Sequence, residues 1–192
     1  AAAWLPAVDR AAKKSGWALL ARTKASCSSM DLRDFNERLG KPYEACSKWR
    51  GDVVDELIRK DPEIVILANR STAAVIDGDG KRLKGGALKS ALAEGEKLFV
   101  DKLLAETIAQ VVILRDLPVP PVDHVDCLLA NPLNEDACRW PRKRPAYPRG
   151  DYSGEVRVTV LDLTDQICPS DKCSAVQNDR VIMRDRQHLT ES

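Results

Sequence analysis

Glu63–Asn69 reads EIVILAN and Gln110–Asp116 reads QVVILRD. Each is a run of aliphatic, largely β-branched residues without polar alternation. A strand with one wet face alternates apolar and polar residues. A continuous run suits a strand covered on both faces, as in a parallel sheet between helices. Helical patterns flank the first run. One extends from Lys48 to Lys60 and places Trp49, Val53, Val54, Leu57 and Ile58 on one face, with Pro62 ending it. Another runs from about Ala87 to Ala109, after the Gly/Asp-rich DGDGK (77–81). Strand–helix–strand alternation of this kind predicts an α/β fold with a parallel sheet flanked by helices.

Three further segments read as strands: WALLA (17–21), VRVTVLDL (156–163) and a short RVIM (180–183). LPVPPVDHVDCLLANP (117–132) is proline-rich and is expected to be irregular, with His124 a loop residue of no catalytic role. DGDGK lacks the distal glutamate of a calcium loop and reads as a turn. In parallel sheets, binding sites lie beyond the carboxyl ends of the strands. Polar clusters fall there: TKASC (23–27) after the first run, ANRS (68–71) after the second and RDRQH (184–188) after the last.

Composition narrows the partners. Hydrophobic residues make up 44% and charged residues 31%, ordinary for a globular domain, and 192 residues suffice for one sizeable core. A net charge of +1 gives no global drive toward nucleic acid or an anionic membrane. Aromatics, at 5%, are too few to favour base or sugar stacking. No apolar run approaches the roughly 18 residues of a spanning helix. No signal-peptide pattern is visible, and Ala1–Ala3 lead straight into an amphipathic pattern, as an interior start would.

Six cysteines fall into neighbouring couples: Cys27 with Cys46, Cys127 with Cys138, and Cys168 with Cys173. Many pairings are possible. Neighbour disulfides are expected because each couple brackets a stretch rich in loop residues; buried thiols are the alternative. Zinc would need tight C-x2-C knuckles, which are absent. Disulfides would place the chain in an oxidising compartment such as a bacterial periplasm. CRWPRKRPAYPRG (138–150) carries Arg139, Arg142, Lys143, Arg144 and Arg149 among prolines. It reads as a solvated extended loop; the sharper alternative is a docking patch for an anionic glycan, lipid headgroup or partner.

The chain closes on VIMRDRQHLTES (181–192), in which Asp185 precedes His188 by three residues. A carboxylate so placed can orient an imidazole acting as general base. The plain alternative is a polar strand exit with a surface histidine. A base needs a nucleophile, and the residues alone do not name one.

Several segments resemble the SGNH hydrolase-like domain fused to bacterial membrane acyltransferases of the acyltransferase-3 type. AAAWLPAVDRAAKKSGW (1–17) is similar to its first helix, RTKASCSS (22–29) to its second-strand exit and YEACSKWR (43–50) to its Cys/Trp-Arg segment. LDLTDQICPSDKC (161–173) and MRDRQHLT (183–190) are similar to its final blocks. The resemblance covers nearly the whole chain. It implies a flavodoxin-like parallel sheet flanked by helices, with His188 as base, Asp185 as its orienter and Asn69 as an oxyanion donor. The glycine that supplies a second donor in this class would fall near KASC, where there is none; a backbone N–H of Ala25 or Ser26 would take its place.

The family nucleophile is the serine of a G-D-S-H block, and no such block occurs in the chain. GDYSGE (150–155) has the wrong spacing and context. The resemblance places the serine, with the first strand, upstream of Ala1, and a closing helix beyond the final block. Residues 1–192 are therefore expected to be a single SGNH-like domain trimmed at both ends. The implied function is transfer of an acetyl or other acyl group to a sugar hydroxyl of a cell-surface polysaccharide. It would act at the periplasmic face of the inner membrane, beside a fused or associated membrane acyltransferase domain. A glycan would be the acceptor, and no cofactor, metal or nucleic acid takes part. A carbohydrate esterase of the same fold, or a non-catalytic glycan-binding or scaffolding module, remains open.

Overall fold

The computed structural model describes residues 4–69, 73–143, 150–186 and 188–190. The chain divides into two compact units, one made of Ala1–Thr23, Arg115–Pro145 and Asp162–Ser192, the other of Lys24–Leu114 and Ala146–Leu161.

The second unit holds the parallel sheet. Its elements are strands β1 (Phe35–Asn36) and β2 (Lys41–Pro42), helix α2 (Glu44–Lys60), β3 (Ile64–Ala68), α3 (Gly85–Glu106), β4 (Gln110–Leu114) and β6 (Val158–Leu161). The three longer strands run parallel in the order β3-β4-β6, with Ile64 opposite Gln110 and Val111 opposite Val158. Val65 and Leu67 of β3, Val111 and Ile113 of β4, Val54 of α2 and Phe99, Val100 and Leu103 of α3 form one buried cluster. The expected strand–helix–strand pattern is thus present.

Local chemistry fixes the helix ends. α2 begins with Glu44 and ends with Arg59 and Lys60, charges that complement its dipole. Asp61 then turns left-handed at φ 41°, its carboxylate accepts the Ile108 N–H at 2.9 Å, and Pro62 bars continuation. α3 stops where the Thr107 hydroxyl donates to the Leu103 carbonyl at 2.7 Å and Arg157 donates to the carbonyls of Leu104 and Thr107. Asp77 makes the 77–81 segment a turn by accepting the N–H groups of Asp79 and Lys81.

The first unit contains α1 (Leu5–Lys14), α4 (His124–Ala130), a 3-10 turn at Glu135–Cys138, β5 (Trp140–Pro141), α5 (Thr164–Ile167), β7 (Lys172–Cys173), β8 (Val176–Gln177) and β9 (Arg180–Val181). β5 pairs antiparallel with β7, and β8 with β9. Trp140, Cys168, Cys173 and Met183 form its buried cluster. Disulfides join Cys27 to Cys46, Cys127 to Cys138 and Cys168 to Cys173.

Four expectations need correction. WALLA is not a strand: residues 17–24 are irregular, and Trp17 and Leu20 are half exposed. An apolar run becomes a strand only with a ladder partner, and this one has none among the described residues. EIVILAN is buried on one face only. Ile64 and Ile66 are 36% and 41% exposed, because the face of β3 that they share is left uncovered by the described residues. The proline-rich 117–132 segment is regular in part. Once the prolines end, the Asp123 carboxylate accepts the N–H groups of Val125 and Asp126 and starts α4. His124 is consequently no loop residue but the fully buried first residue of that helix. The basic 138–150 segment is not wholly solvated either. Trp140 is buried in β5 with its indole N–H donated to the Pro118 carbonyl at 3.3 Å, and Arg142 pairs with Asp165. Arg144 and Arg149 lie outside the described residues.

The His124 ring packs against Trp140 with centroids 4.2 Å apart, and neither ring nitrogen has a hydrogen-bond partner among the described residues. Burial pushes its imidazole below the ordinary histidine range, partly opposed by Asp123. Below about pH 6.5 the unfolded chain takes up a proton that the folded site refuses, so stability falls as pH drops through that value. Urea unfolding between about pH 7.5 and 5.5 should show a loss of at most about 1.4 kcal/mol per pH unit, reduced in His124→Phe. An unchanged pH dependence in that variant would refute this account.

Candidate active site

In the first unit, β8 and β9 are joined by Asn178 and Asp179, both at positive φ (51° and 60°). These residue types tolerate the left-handed region that a two-residue hairpin turn requires. Beyond β9 the chain loops out and returns. Met183 and Leu189 bridge antiparallel, the Arg184 N–H donates to the His188 carbonyl at 2.8 Å, and the Thr190 N–H donates to the Ile182 carbonyl at 3.0 Å. Met183 is buried in the unit's core, with Ile182 and Leu189 against it. The D-x-x-H loop is therefore closed at its neck by apolar packing, while its tip carries the polar pair.

Asp185 grips His188 twice. Its Oδ1 accepts the His188 backbone N–H at 2.9 Å, and its two oxygens lie 2.9 and 2.8 Å from the ring Nδ1. A carboxylate can only accept at that position, so the neutral imidazole carries its proton on Nδ1. Nε2 is left as the basic nitrogen, without a partner among the described residues. Both side chains are a little over one-third exposed, which leaves them open to a reactant. Arg186 Nε donates to the Pro120 carbonyl at 3.3 Å and ties the loop to the proline-rich segment.

Asn69 belongs to the other unit. It follows β3 directly, at the carboxyl end of the parallel sheet. Its Oδ1 accepts both the backbone N–H and the hydroxyl of Ser29, each at 2.8 Å. A backbone N–H can only donate, so the amide oxygen must face Ser29 and the NH2 group must point elsewhere. The backbone N–H that meets Asn69 is that of Ser29. Sequence reasoning missed Ser29 and the polar cluster behind it. Ser28, Asp34 and Arg50 are all buried: the Ser28 hydroxyl donates to Asp34 at 2.8 Å, and Arg50 donates to Asp34 at 2.8 Å, to the Ser28 carbonyl at 3.0 Å and to the Leu32 carbonyl. One signal was legible: Arg50 lies between Cys46 and Val54 at four-residue spacing, a charge within the buried stripe of α2.

Beyond β4 and β6, Arg115 and Asp162 form an ion pair at 3.7 Å, and Asp162 caps α5 through the Thr164 N–H at 2.9 Å. Ser153, of the GDYSGE segment, donates its backbone N–H to Asp151 in an exposed turn and has no histidine partner among the described residues. Among the described residues no group of three or more His, Cys, Asp or Glu has metal-binding spacing, and no helix is long and apolar enough to cross a membrane.

The family model described as "SGNH domain (fused to AT3 domains)" matches residues 1–192. No curated protein sequence matches the chain. Among solved structures, the periplasmic domain of a lipopolysaccharide acetyltransferase from Salmonella ser. Paratyphi A superposes with a TM-score of 0.65 at 15% identity. The match covers 97% of this chain and 72% of that one. At that identity the likeness is one of fold: mixed α/β, with a parallel sheet flanked by helices.

The geometry predicts the tautomer of His188. In 15N spectra recorded where the ring is neutral, the wild-type chain should show the proton on Nδ1. Asp185→Asn should shift the population toward Nε2–H, since a carboxamide can present a donor to Nδ1. A wild-type ring protonated mainly on Nε2 would contradict the assignment.

Proposed function

The chain belongs to the family of SGNH domains fused to AT3 domains, and from that premise we propose that it is the extracytoplasmic acyl-transfer domain of a glycan O-acyltransferase. The observation that carries this reading is the Asp185–His188 pair, whose carboxylate faces Nδ1 and leaves Nε2 as a base. In the proposed reaction, Nε2 takes the proton of a serine hydroxyl as its oxygen attacks the acyl carbonyl. The bond from acyl to donor breaks, and the donor leaves with that proton. A sugar hydroxyl then repeats the attack on the acyl-serine. His188 accepts its proton and returns it to the serine, and the acylated sugar departs. The resemblance gives Asn69 the part of an oxyanion donor, played through its NH2 group. Water in place of the sugar would make the same site an esterase.

The serine is not among the residues of this chain in its family context, since G-D-S-H is absent from the sequence. In this reading it comes from an upstream segment of the parent polypeptide. Three disulfides support a location in the periplasm. The family's fusion to AT3 domains supports a membrane acyltransferase as the source of the acyl group and as the anchor to the inner membrane. The likeness to the periplasmic domain of a lipopolysaccharide acetyltransferase supports acetyl transfer to a surface glycan. A non-catalytic glycan-binding or scaffolding role is the alternative that the next test separates.

In the parent protein, His188→Ala should lower acyl transfer by about 10²–10⁴-fold, the usual worth of a positioned general base. Asp185→Asn should lower it strongly as well, and the double variant little more than His188→Ala alone, because the two act as a unit. Near-wild-type transfer by folded His188→Ala protein would leave the non-catalytic module as the better reading. The 192-residue chain alone should turn over p-nitrophenyl acetate at the background rate. Turnover abolished by a serine-directed inhibitor, with the label mapped to a serine of this chain, would show that the nucleophile lies within it.

A further inference from the structure

We propose that Ser29 is the positioning residue of Asn69. It fixes which way the carboxamide faces and so sets the quality of the NH2 donor. The inference rests on the reading of Asn69 as an oxyanion donor and adds what that reading lacks, a means of holding the amide.

An asparagine amide can turn over by rotation about χ2, and its two ends are nearly the same size. Donor strength toward a developing charge depends on which end points there and how firmly it is held. Ser29 removes the ambiguity. Two donors from one residue, the backbone N–H and the hydroxyl, converge on Asn69 Oδ1 at 2.8 Å each. A flipped amide would set NH2 against the Ser29 N–H, two donors face to face, with a lost hydrogen bond in a half-buried place. The Ser29 N–H is thereby committed to Asn69, and its role is to hold that donor.

Ser29 is itself held. The residue before it, Ser28, is 7% exposed; its hydroxyl donates to Asp34 and its carbonyl accepts from Arg50. Asp34 and Arg50 form a buried ion pair at 2.8 Å, and the Cys27–Cys46 disulfide pins the residue before Ser28 to the same helix that carries Arg50. On the other side, Met30 is fully buried and the Asp31 N–H donates to the Gly95 carbonyl at 2.8 Å. Ser29 is the residue in this fixed stretch whose polar groups face Asn69.

The test uses two readouts. The first is the motion of the Asn69 side-chain NH2, followed by 15N relaxation in the 192-residue chain, with circular dichroism as the folding control. Ser29→Ala removes the hydroxyl and should loosen the amide; Ser29→Thr keeps the hydroxyl and should restore it. The second is acyl transfer by the parent protein. Ser29→Ala should lower kcat by about ten-fold with little change in KM. That is less than the about 10²–10³-fold expected for complete loss of the donor in Asn69→Ala. Ser29→Thr should recover most of it. An Asn69 amide equally rigid in wild type and Ser29→Ala overturns the proposal, whatever the activity. An amide loosened by Ser29→Ala, with Asn69→Ala transferring at the full rate, supports the hold by Ser29 and defeats the donor role of Asn69 instead.

Discussion

A guanidinium buried among apolar side chains has to be met by acceptors, and in the second unit that requirement organises a long stretch with little secondary structure. Arg50 is 7% exposed on the inner face of α2. Its partners are the Asp34 carboxylate and the carbonyls of Ser28 and Leu32. All three lie in residues 24–43, where β1 and β2 have only two residues each. Ladder hydrogen bonds cannot hold such a segment; one fork-shaped cation donating to three separate residues can. Without either partner, the other charge would stay buried and unmatched, at a cost of about 3–5 kcal/mol. The opposite flank is fixed by shape. A Cβ on Gly95 would stand 2.6 Å from Leu32 side-chain carbons and 2.9 Å from the Asp31 carbonyl oxygen, so α3 can approach the stretch only with glycine there.

The same logic, a mobile-looking polar segment fastened at its base, recurs at the D-x-x-H loop. Met183 and Leu189 close the neck against Trp140 and the Cys168–Cys173 disulfide. Asp185 then spans the tip by accepting from both backbone and ring of His188. In each unit the candidate side chain sits on irregular backbone, and in each that backbone is fastened by buried neighbours. Binding and catalytic groups are commonly carried this way, on loops positioned by a firm scaffold.

Much of this was legible in the sequence, and the reasons differ by segment. QVVILRD is the middle strand of the described sheet, so its unbroken apolar run reported its burial faithfully. EIVILAN has the same composition but one uncovered face, and composition cannot distinguish a covered face from an open one without knowing the neighbours. WALLA illustrates the same limit: strand propensity is a capacity to pair, and pairing depends on a partner far away in sequence. α4 was hidden because four nearby prolines outweighed one good cap at Asp123. Asp185 and His188 were visible because their contact is local, three residues apart. Ser29 and Asn69 are forty residues apart, and no local pattern announces such a bond.

The chain's two histidines show why residue type alone does not identify a base. His124 stands at the start of α4, fully buried, with no hydrogen bond to either ring nitrogen among the described residues; burial disfavours its charged form, and Asp123 opposes this only in part. Its surroundings suit a neutral ring packed on Trp140. His188 has the opposite setting. Its Nδ1 faces the Asp185 carboxylate at 2.8 Å, and its exposure leaves Nε2 open to a reactant. A general base must hold a proton for part of the cycle, so it needs a place for the positive charge as well as a lone pair. Asp185 lies against the His188 ring, whereas at His124 the charge of Asp123 only partly offsets burial. The general base of the proposed reaction therefore rests on one local turn, D-x-x-H, closed by the packing of Met183 and Leu189.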